Sequence, residues 1–195
     1  PLHLSILFIN IIKNVNLYKG GIPAKYGGRL SSVLDIYQKE GNSKELNVTG
    51  GIGLVSSRLL IEGPIKKEKI SFLVGGRSSY AHLFLPLFNN DNKAYFYDLN
   101  TKLNYRVNDR NSVFFSGYFG KDLFGISDNF VNTYGNKVAN LRWNHLFSDQ
   151  LFSNLSLIYS DYFYGLTLDF VGFEWDSGIT NYNLKYDFKH YLSNK

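Results

Sequence analysis

Tyr97-Asp98-Leu99-Asn100-Thr101-Lys102-Leu103-Asn104-Tyr105-Arg106-Val107 alternates without a slip. Successive side chains of a β-strand point to opposite sides, so Tyr97, Leu99, Thr101, Leu103, Tyr105 and Val107 share one greasy face. Asp98, Asn100, Lys102, Asn104 and Arg106 share a strongly polar one. Asn108, Asp109, Arg110 and Asn111 then supply turn chemistry before Val113, Phe115, Gly117 and Phe119 resume the alternation, which predicts a hairpin.

The same pattern extends in both directions. Downstream, Ala139, Leu141, Trp143, His145 and Phe147 oppose Asn140, Arg142 and Asn144. Ser148-Asp149-Gln150 reads as a tight turn, and Leu155, Leu157 and Tyr159 oppose Asn154, Ser156 and Ser160. Tyr182, Leu184, Tyr186 and Phe188 alternate with Asn181, Asn183, Lys185, Asp187 and Lys189. Upstream, Glu45 to Ile61 and Lys69 to Tyr80 read as one strand each. Gly50, Gly51 and Gly53 suggest bends in the first, whose phase is lost near Ser56 and Ser57. The expectation is about seven strands after residue 43, with no apolar stripe of helical period anywhere. Short connections (65–69, 108–111, 148–150) take turns with longer polar ones (81–94, 120–134, 165–179). A meander does this when one rim faces a tight compartment and the other an open one, as in bacterial outer-membrane barrels.

Composition narrows the function classes. The 195 residues are 44% apolar, 17% aromatic and only 19% charged, which is not a disordered composition. Absence of cysteine removes disulfides, thiol nucleophiles and thiolate metal sites together. The net charge of +5 is spread along the chain, and its densest cluster, Lys66, Lys67 and Lys69, is interrupted by Glu68. A nucleic-acid footprint needs such charges gathered on one face, so no nucleic-acid partner is expected. No stretch approaches the ~20 apolar residues of a membrane-spanning helix. Leu2 to Ile12, the greasiest run, lacks the basic start and small-residue cleavage site of a signal peptide.

Alternation alone does not separate a membrane barrel from a soluble β-sandwich. Two features favour the barrel. Aromatic residues gather near strand ends (Tyr95 to Tyr97, Phe119, Tyr159 to Tyr164, Phe188, Tyr191), as in the girdles at a bilayer's two interfaces. The opposite face, rich in Asn, Lys, Arg and Asp, suits a watery lumen. A complete barrel of about eight strands with a structural or adhesive role, and a soluble sandwich acting as a binding module, remain the alternatives.

One segment carries a family resemblance. Tyr18-Lys19-Gly20-Gly21-Ile22-Pro23-Ala24-Lys25-Tyr26-Gly27-Gly28-Arg29, the short run Val33 to Tyr37, and Gln38-Lys39-Glu40-Gly41 resemble the end of the plug domain in TonB-dependent outer-membrane receptors, in particular the Bacteroidetes-type branch. Ile11 to Leu17 resembles the stretch leading into it. Glu62-Gly63-Pro64-Ile65 and Gly76-Arg77-Ser78-Ser79-Tyr80 look like the first periplasmic hairpin and second strand of such barrels. The resemblance implies an all-β chain with the end of a plug over residues 1–42 and an incomplete, antiparallel, up-and-down transmembrane β-barrel over 43–195. A barrel of ~22 strands needs far more chain than this, so the length reads as a piece of a larger wall.

The resemblance further implies residence in the bacterial outer membrane and energy-coupled uptake of a nutrient: an iron chelate, cobalamin, an oligosaccharide or a peptide. Expected partners are outer-membrane lipid, the nutrient itself, a surface lipoprotein, and the TonB complex acting through a segment outside this chain. Tyr18, Gly20, Gly21, Pro23, Tyr26, Gly27, Gly28 and Arg29 form the plug-end motif, structural or gating in role. Arg77 is the candidate for a lumen-facing contact to the plug. The glycines do not follow the phosphate-binding G-x-G-x-x-G order, and no G-K-[ST] occurs.

No enzyme or cofactor is expected. His3, His82, His145 and His190 are far apart, none in an H-x-x-x-H spacing, and there is no G-x-S-x-G elbow. His145 beside Trp143 reads as an interfacial aromatic. Carboxylate pairs such as Asp161 with Asp169, or Glu174 with Asp176, occur in any chain of this size.

Overall fold

A computed structural model describes residues 11–26, 31–88, 92–127 and 129–192. It is all-β and antiparallel. Two compact units divide between Lys39 and Glu40.

The smaller unit is a two-stranded ladder of β1 (Ile12–Tyr18) and β2 (Val33–Gln38). Val15 faces Ile36 and Leu17 faces Leu34 across it. The backbone N–H of Lys39 donates to the carbonyl of Ile11 at 2.8 Å, closing its open end.

The larger unit is a single sheet of eight strands: β3 (Asn47–Ile52), β4 (Ser56–Lys66), β5 (Ile70–Ser79), β6 (Lys93–Asn108), β7 (Asn111–Ile126), β8 (Phe130–Leu146), β9 (Leu151–Leu168) and β10 (Phe173–His190). Each pairs antiparallel with its neighbour in sequence, so spatial order equals chain order. Among the described residues, β3 and β10 each pair on one side only. None of the described helices is long and apolar enough to cross a membrane, which says nothing of strands.

Three expectations are corrected. The strand expected over 45–61 is a hairpin, β3 and β4, which raises the count from seven to eight. Its turn is Gly53-Leu54-Val55, closed by the Gly53 N–H donating to the Ser56 carbonyl at 2.8 Å. Leu54 and Val55 are exposed at its tip, where sequence grammar expects polar turn residues. The long connection expected over 120–134 shrinks to 127–129, because β7 and β8 carry their pairing up to Ile126 opposite Phe130. The connection expected over 165–179 is a 3₁₀ turn, Asp169–Val171, followed by Gly172 with φ 62°. Only the connection before β6 stays long, with two 3₁₀ turns at Ala81–Leu83 and Leu85–Phe88.

Both overextended loops fail for one reason. Within both stretches the greasy face carries Lys121, Thr133, Gly165 and Thr167, while Phe124, Leu166 and Leu168 stand on the opposite face. Period-two contrast vanishes there although the hydrogen-bonded ladder continues. β6 to β10 reach 16 to 18 residues, well beyond the ~9–11 that a spanning strand needs.

Burial in this sheet is inverted relative to a water-soluble one. On β6, Asp98 is 4% exposed and Asn100 2%, whereas Leu99 is 45% exposed and Leu103 38%. Register carries the greasy face across the sheet: Phe72, Leu103, Phe115, Leu141, Leu157 and Leu184 form one row. Ile61, Val74, Thr101, Gly117, Ala139, Tyr159 and Tyr182 form the next.

The segment joining the two units is fastened to the sheet. Ser71 Oγ donates to the Glu40 carbonyl at 3.1 Å, and the Glu68 N–H to the Ser43 carbonyl at 3.0 Å. Between them Gly41 has φ 79°, and a Cβ there would stand 2.5 Å from the Phe72 carbonyl oxygen. Only glycine fits both demands.

Candidate functional site

The polar face of the sheet concentrates its charge and its buried polar atoms around β5 to β9. Arg77 lies there, as the alternation expects, and register sets Asp98 directly opposite. Its Nε–H donates to Asp98 Oδ2, and the guanidinium lies 5.1 Å from the centre of the Phe96 ring. The two side chains are 17% and 1% exposed, so the carboxylate is shut away from bulk solvent with its counter-ion. Asn100 Nδ2 donates to the other carboxylate oxygen at 3.4 Å. Such a pair fixes geometry more than it adds stability, because desolvating two charges offsets most of their attraction.

Below this pair runs a series of amides. Asn104 Nδ2 donates to Ser71 Oγ at 3.3 Å, and that same hydroxyl holds the Glu40 carbonyl. On β8, Asn132, Asn136, Asn140 and Asn144 recur every fourth residue on this face, and Asn144 stands opposite Asn154 on β9. The Oδ1 atoms of Asn104, Asn136, Asn140, Asn144 and Asn154 are buried without a protein donor. Buried amide oxygens of this kind are normally satisfied by ordered water. The face is therefore built to be wet. Arg142 lies over the Phe114 ring at 4.6 Å and lends the lower part a positive charge.

The Gly-rich motif is organised around a tyrosine. The Tyr26 N–H donates to the Pro23 carbonyl at 3.0 Å, forming the 3₁₀ turn Ala24–Tyr26, and Gly21 ahead of it has φ 59°. Gly20, by contrast, has an ordinary φ and open space where a Cβ would go. Tyr18 at the end of β1 packs its ring 5.6 Å from that of Tyr26. The Tyr26 hydroxyl donates to Asp35 Oδ2 on β2, and Lys25 Nζ stands 4.4 Å from the Tyr26 ring centre. By accepting these hydrogen bonds, the Asp35 carboxylate favours the protonated phenol and raises the pKa of both Tyr26 and Tyr37. The motif thus joins Tyr18, Pro23 and Tyr26 around Asp35, a residue that sequence reasoning did not single out. Gly27, Gly28 and Arg29 lie outside the described residues.

Asp98 was missed likewise, because naming it as the partner of Arg77 requires the β5–β6 register. Alternation is strict on β6 only, and the long connection between β5 and β6 leaves their register unreadable in sequence.

On the greasy face the aromatics form two groups. Near the short turns, Trp143, His145 and Phe147 stack in series, with ring centres 5.3 Å and 4.4 Å apart, and Phe188 lies 6.3 Å from Phe147. Asn111 Oδ1 accepts from Trp143 Nε1 at 3.1 Å and lies 2.8 Å from His145 Nδ1. Higher up, Tyr97 pairs with Phe119 at 5.9 Å and Tyr159 with Tyr182 at 5.2 Å. Leu103, Phe115, Leu141, Leu157 and Leu184 fill the row between. Among the described residues no three His, Asp or Glu side chains are grouped to hold a metal ion. Asp161 accepts from Thr180 Oγ1 at 2.9 Å and lies 3.7 Å from Lys137 Nζ.

Comparison with family models, with curated proteins and with solved structures finds no match for this chain.

Proposed function

We propose that this chain is part of a TonB-dependent outer-membrane receptor, with the β1–β2 unit as the end of the plug and β3 to β10 as consecutive strands of the barrel wall. Its task is energy-coupled passage of a nutrient across the outer membrane. The observation that carries this reading is the burial along β6 in an antiparallel sheet whose strands follow chain order: Asp98 and Asn100 are buried and Leu99 and Leu103 exposed, with Leu60 and Leu73 buried on the polar face beside Asn100 and Lys102. A water-filled lumen and a lipid exterior give that inversion, and a soluble sandwich gives the opposite.

Further support comes from Tyr18 to Gly41, whose likeness to a plug end is otherwise unexplained. Glu40, the first residue after the β1–β2 unit, is held by Ser71 on the polar face of the sheet. A chain passing from a plug into its barrel wall needs that attachment.

Membrane fractionation tests the reading. The chain is expected to stay with the outer membrane through alkaline and urea washes and to leave only in detergent. Recovery in the soluble fraction without detergent overturns it.

The strand count of eight favours a second reading, a small closed barrel of structural role. The chain has no cysteine, so spin labels placed through Val48→Cys on β3 and Leu184→Cys on β10 report closure directly. A receptor wall holds these positions far apart, whereas a closed eight-stranded barrel brings the two strands to within ~5 Å.

A further inference from the structure

The turn before β4 and the connection before β6 meet at the rim of the sheet away from the short turns. The Tyr80 N–H donates to the Val55 carbonyl at 2.9 Å, and the Tyr80 hydroxyl donates to the Gly53 carbonyl. Two successive 3₁₀ turns follow, with the Phe84 N–H on the Ala81 carbonyl at 3.0 Å and the Leu87 N–H on the Phe84 carbonyl at 3.1 Å. The first turn leans on the outward side of the sheet. Its His82 ring is 5.3 Å from that of Tyr95, which shares the greasy face of β6 with Tyr97. The Phe84 ring is 6.3 Å from that of Tyr80.

Together these segments form an open, apolar shelf. Leu54 is 88% exposed and Leu87 75%, with Ile52, Val55, Leu83 and Phe84 exposed beside them. No Asp, Glu, Lys or Arg occurs within 52–57 or 80–88. Charge returns at Arg58, which stands opposite Arg77 on the polar face, and at Asp91 and Lys93.

The rest of the rim differs. Ile52 begins a cross-strand row of the outward face that runs through Ser57, Ser78, Tyr97 and Lys121 to Gly135. Beyond that row, the outward side chains of β7 to β10 are Leu123, Val131, Thr133, Thr167, Glu174 and Asp176, with glycines between them. The turn before β10 exposes Phe170 and Val171, but between Asp169 and Glu174. One end of the rim stays greasy to its tip, while the other turns mixed and, on β10, acidic.

We infer that the shelf is an interfacial anchor, with Leu54, Leu83 and Leu87 lodged among the acyl chains of the outer leaflet just below the headgroups. The inference rests on the membrane reading above. A lipid surface is the occupant because the shelf leans on the outward face of β6 and continues that face through Ile52 with no charge between. An uncharged segment enters that zone without the cost that a charged side chain carries there. Tyr80 and Tyr95 supply the amphipathic rings suited to headgroup level. The connection that the sequence pattern groups with polar loops is thereby a membrane contact. It fixes one end of β5, the strand whose Ser71, near the other end, holds Glu40.

The test uses the full chain in liposomes of phosphatidylcholine and phosphatidylglycerol. With no native cysteine, a single nitroxide label reports each position by its collisions with oxygen, which dissolves in the bilayer, and with a water-soluble nickel chelate. Labels at Leu83→Cys and Leu87→Cys should favour oxygen several-fold, as should one at Leu141→Cys in the aliphatic band. A label at Glu174→Cys should favour the chelate. Ratios at Leu83 and Leu87 that match Glu174 overturn the anchor and leave the membrane reading standing. Shielding of both labels from both reagents, the mark of a second copy covering the shelf, does the same. A Leu141 label reached by the chelate overturns both.

Discussion

The two faces of the eight-stranded sheet share every backbone bond and differ in all else. On β8, Asn136, Asn140 and Asn144 bury amide oxygens on one face, while Leu141 and Trp143, interleaved with them, are exposed on the other. If the sheet is a membrane wall, as proposed, exposure on the greasy face means contact with hydrocarbon. In a soluble fold, leucines at 38–51% exposure over a whole face would be an aggregation hazard. On a lipid-facing wall they are the solvent-exposed surface, with hydrocarbon as the solvent. The polar face plays the part of a surface too, crowded enough that its groups satisfy one another or hold water.

Placing one charge on each face gives the largest separation. Leu141→Arg, in the middle of the aliphatic band, should destabilise the bilayer-inserted protein by about 2–4 kcal/mol, read from urea unfolding in liposomes. Asn140→Arg, its neighbour on the polar face, should cost clearly less than Leu141→Arg, because the arginine stays among amides. Equal effects at the two positions would erase the distinction between the faces.

A smaller effect probes how tightly the polar face is organised. Asp98→Asn removes the counter-ion of Arg77 and should cost about 1–3 kcal/mol in the same assay. Adding Arg77→Gln should restore part of the loss, because the stranded charge goes with it. A double variant as unstable as the single one would show that Asp98 acts through its other neighbours.

The smallest effect is confined to the β1–β2 unit. Tyr26 and Tyr37 have pKa values raised above the ordinary tyrosine range by hydrogen bonding to Asp35. A raised folded-state pKa favours the protonated form, so this contribution is complete below about pH 10 and is lost as pH climbs through the folded-state values. Amide exchange in β1 and β2 should therefore quicken above that pH in wild type, and much less in Tyr26→Phe with Tyr37→Phe. The amides that dominate the polar face do not titrate, so exchange in β8 should not follow the same curve.

The sheet was largely legible because the greasy face makes its own signal. Tyr97 to Val107 and Tyr182 to Lys189 declare their strands and their faces residue by residue. The signal failed where that contrast is absent. Leu54 and Val55 hide a turn by looking like strand. Lys121, Thr133 and Thr167 hide strand by looking like loop, because the greasy face turns polar there while Phe124, Leu166 and Leu168 lie on the other face. The candidate site was legible by half. Arg77 and the motif tyrosines stand out in sequence, while their partners Asp98 and Asp35 become partners only through register and turn geometry, 21 and 9 residues away in the chain.

The last strand carries a further consequence. β10 is 18 residues long and, among the described residues, bonded to β9 alone, so about half its peptide groups project N–H and C=O with no ladder partner among those residues. Within hydrocarbon each such group costs several kcal/mol. The molecule thus holds a template whose vacancy costs far more than most side-chain contacts gain, and it specifies its next neighbour by backbone before any side chain is chosen. In water, where greasy faces also seek each other, the same template recruits copies of itself, and growth by strand addition would end in stacked, insoluble sheets.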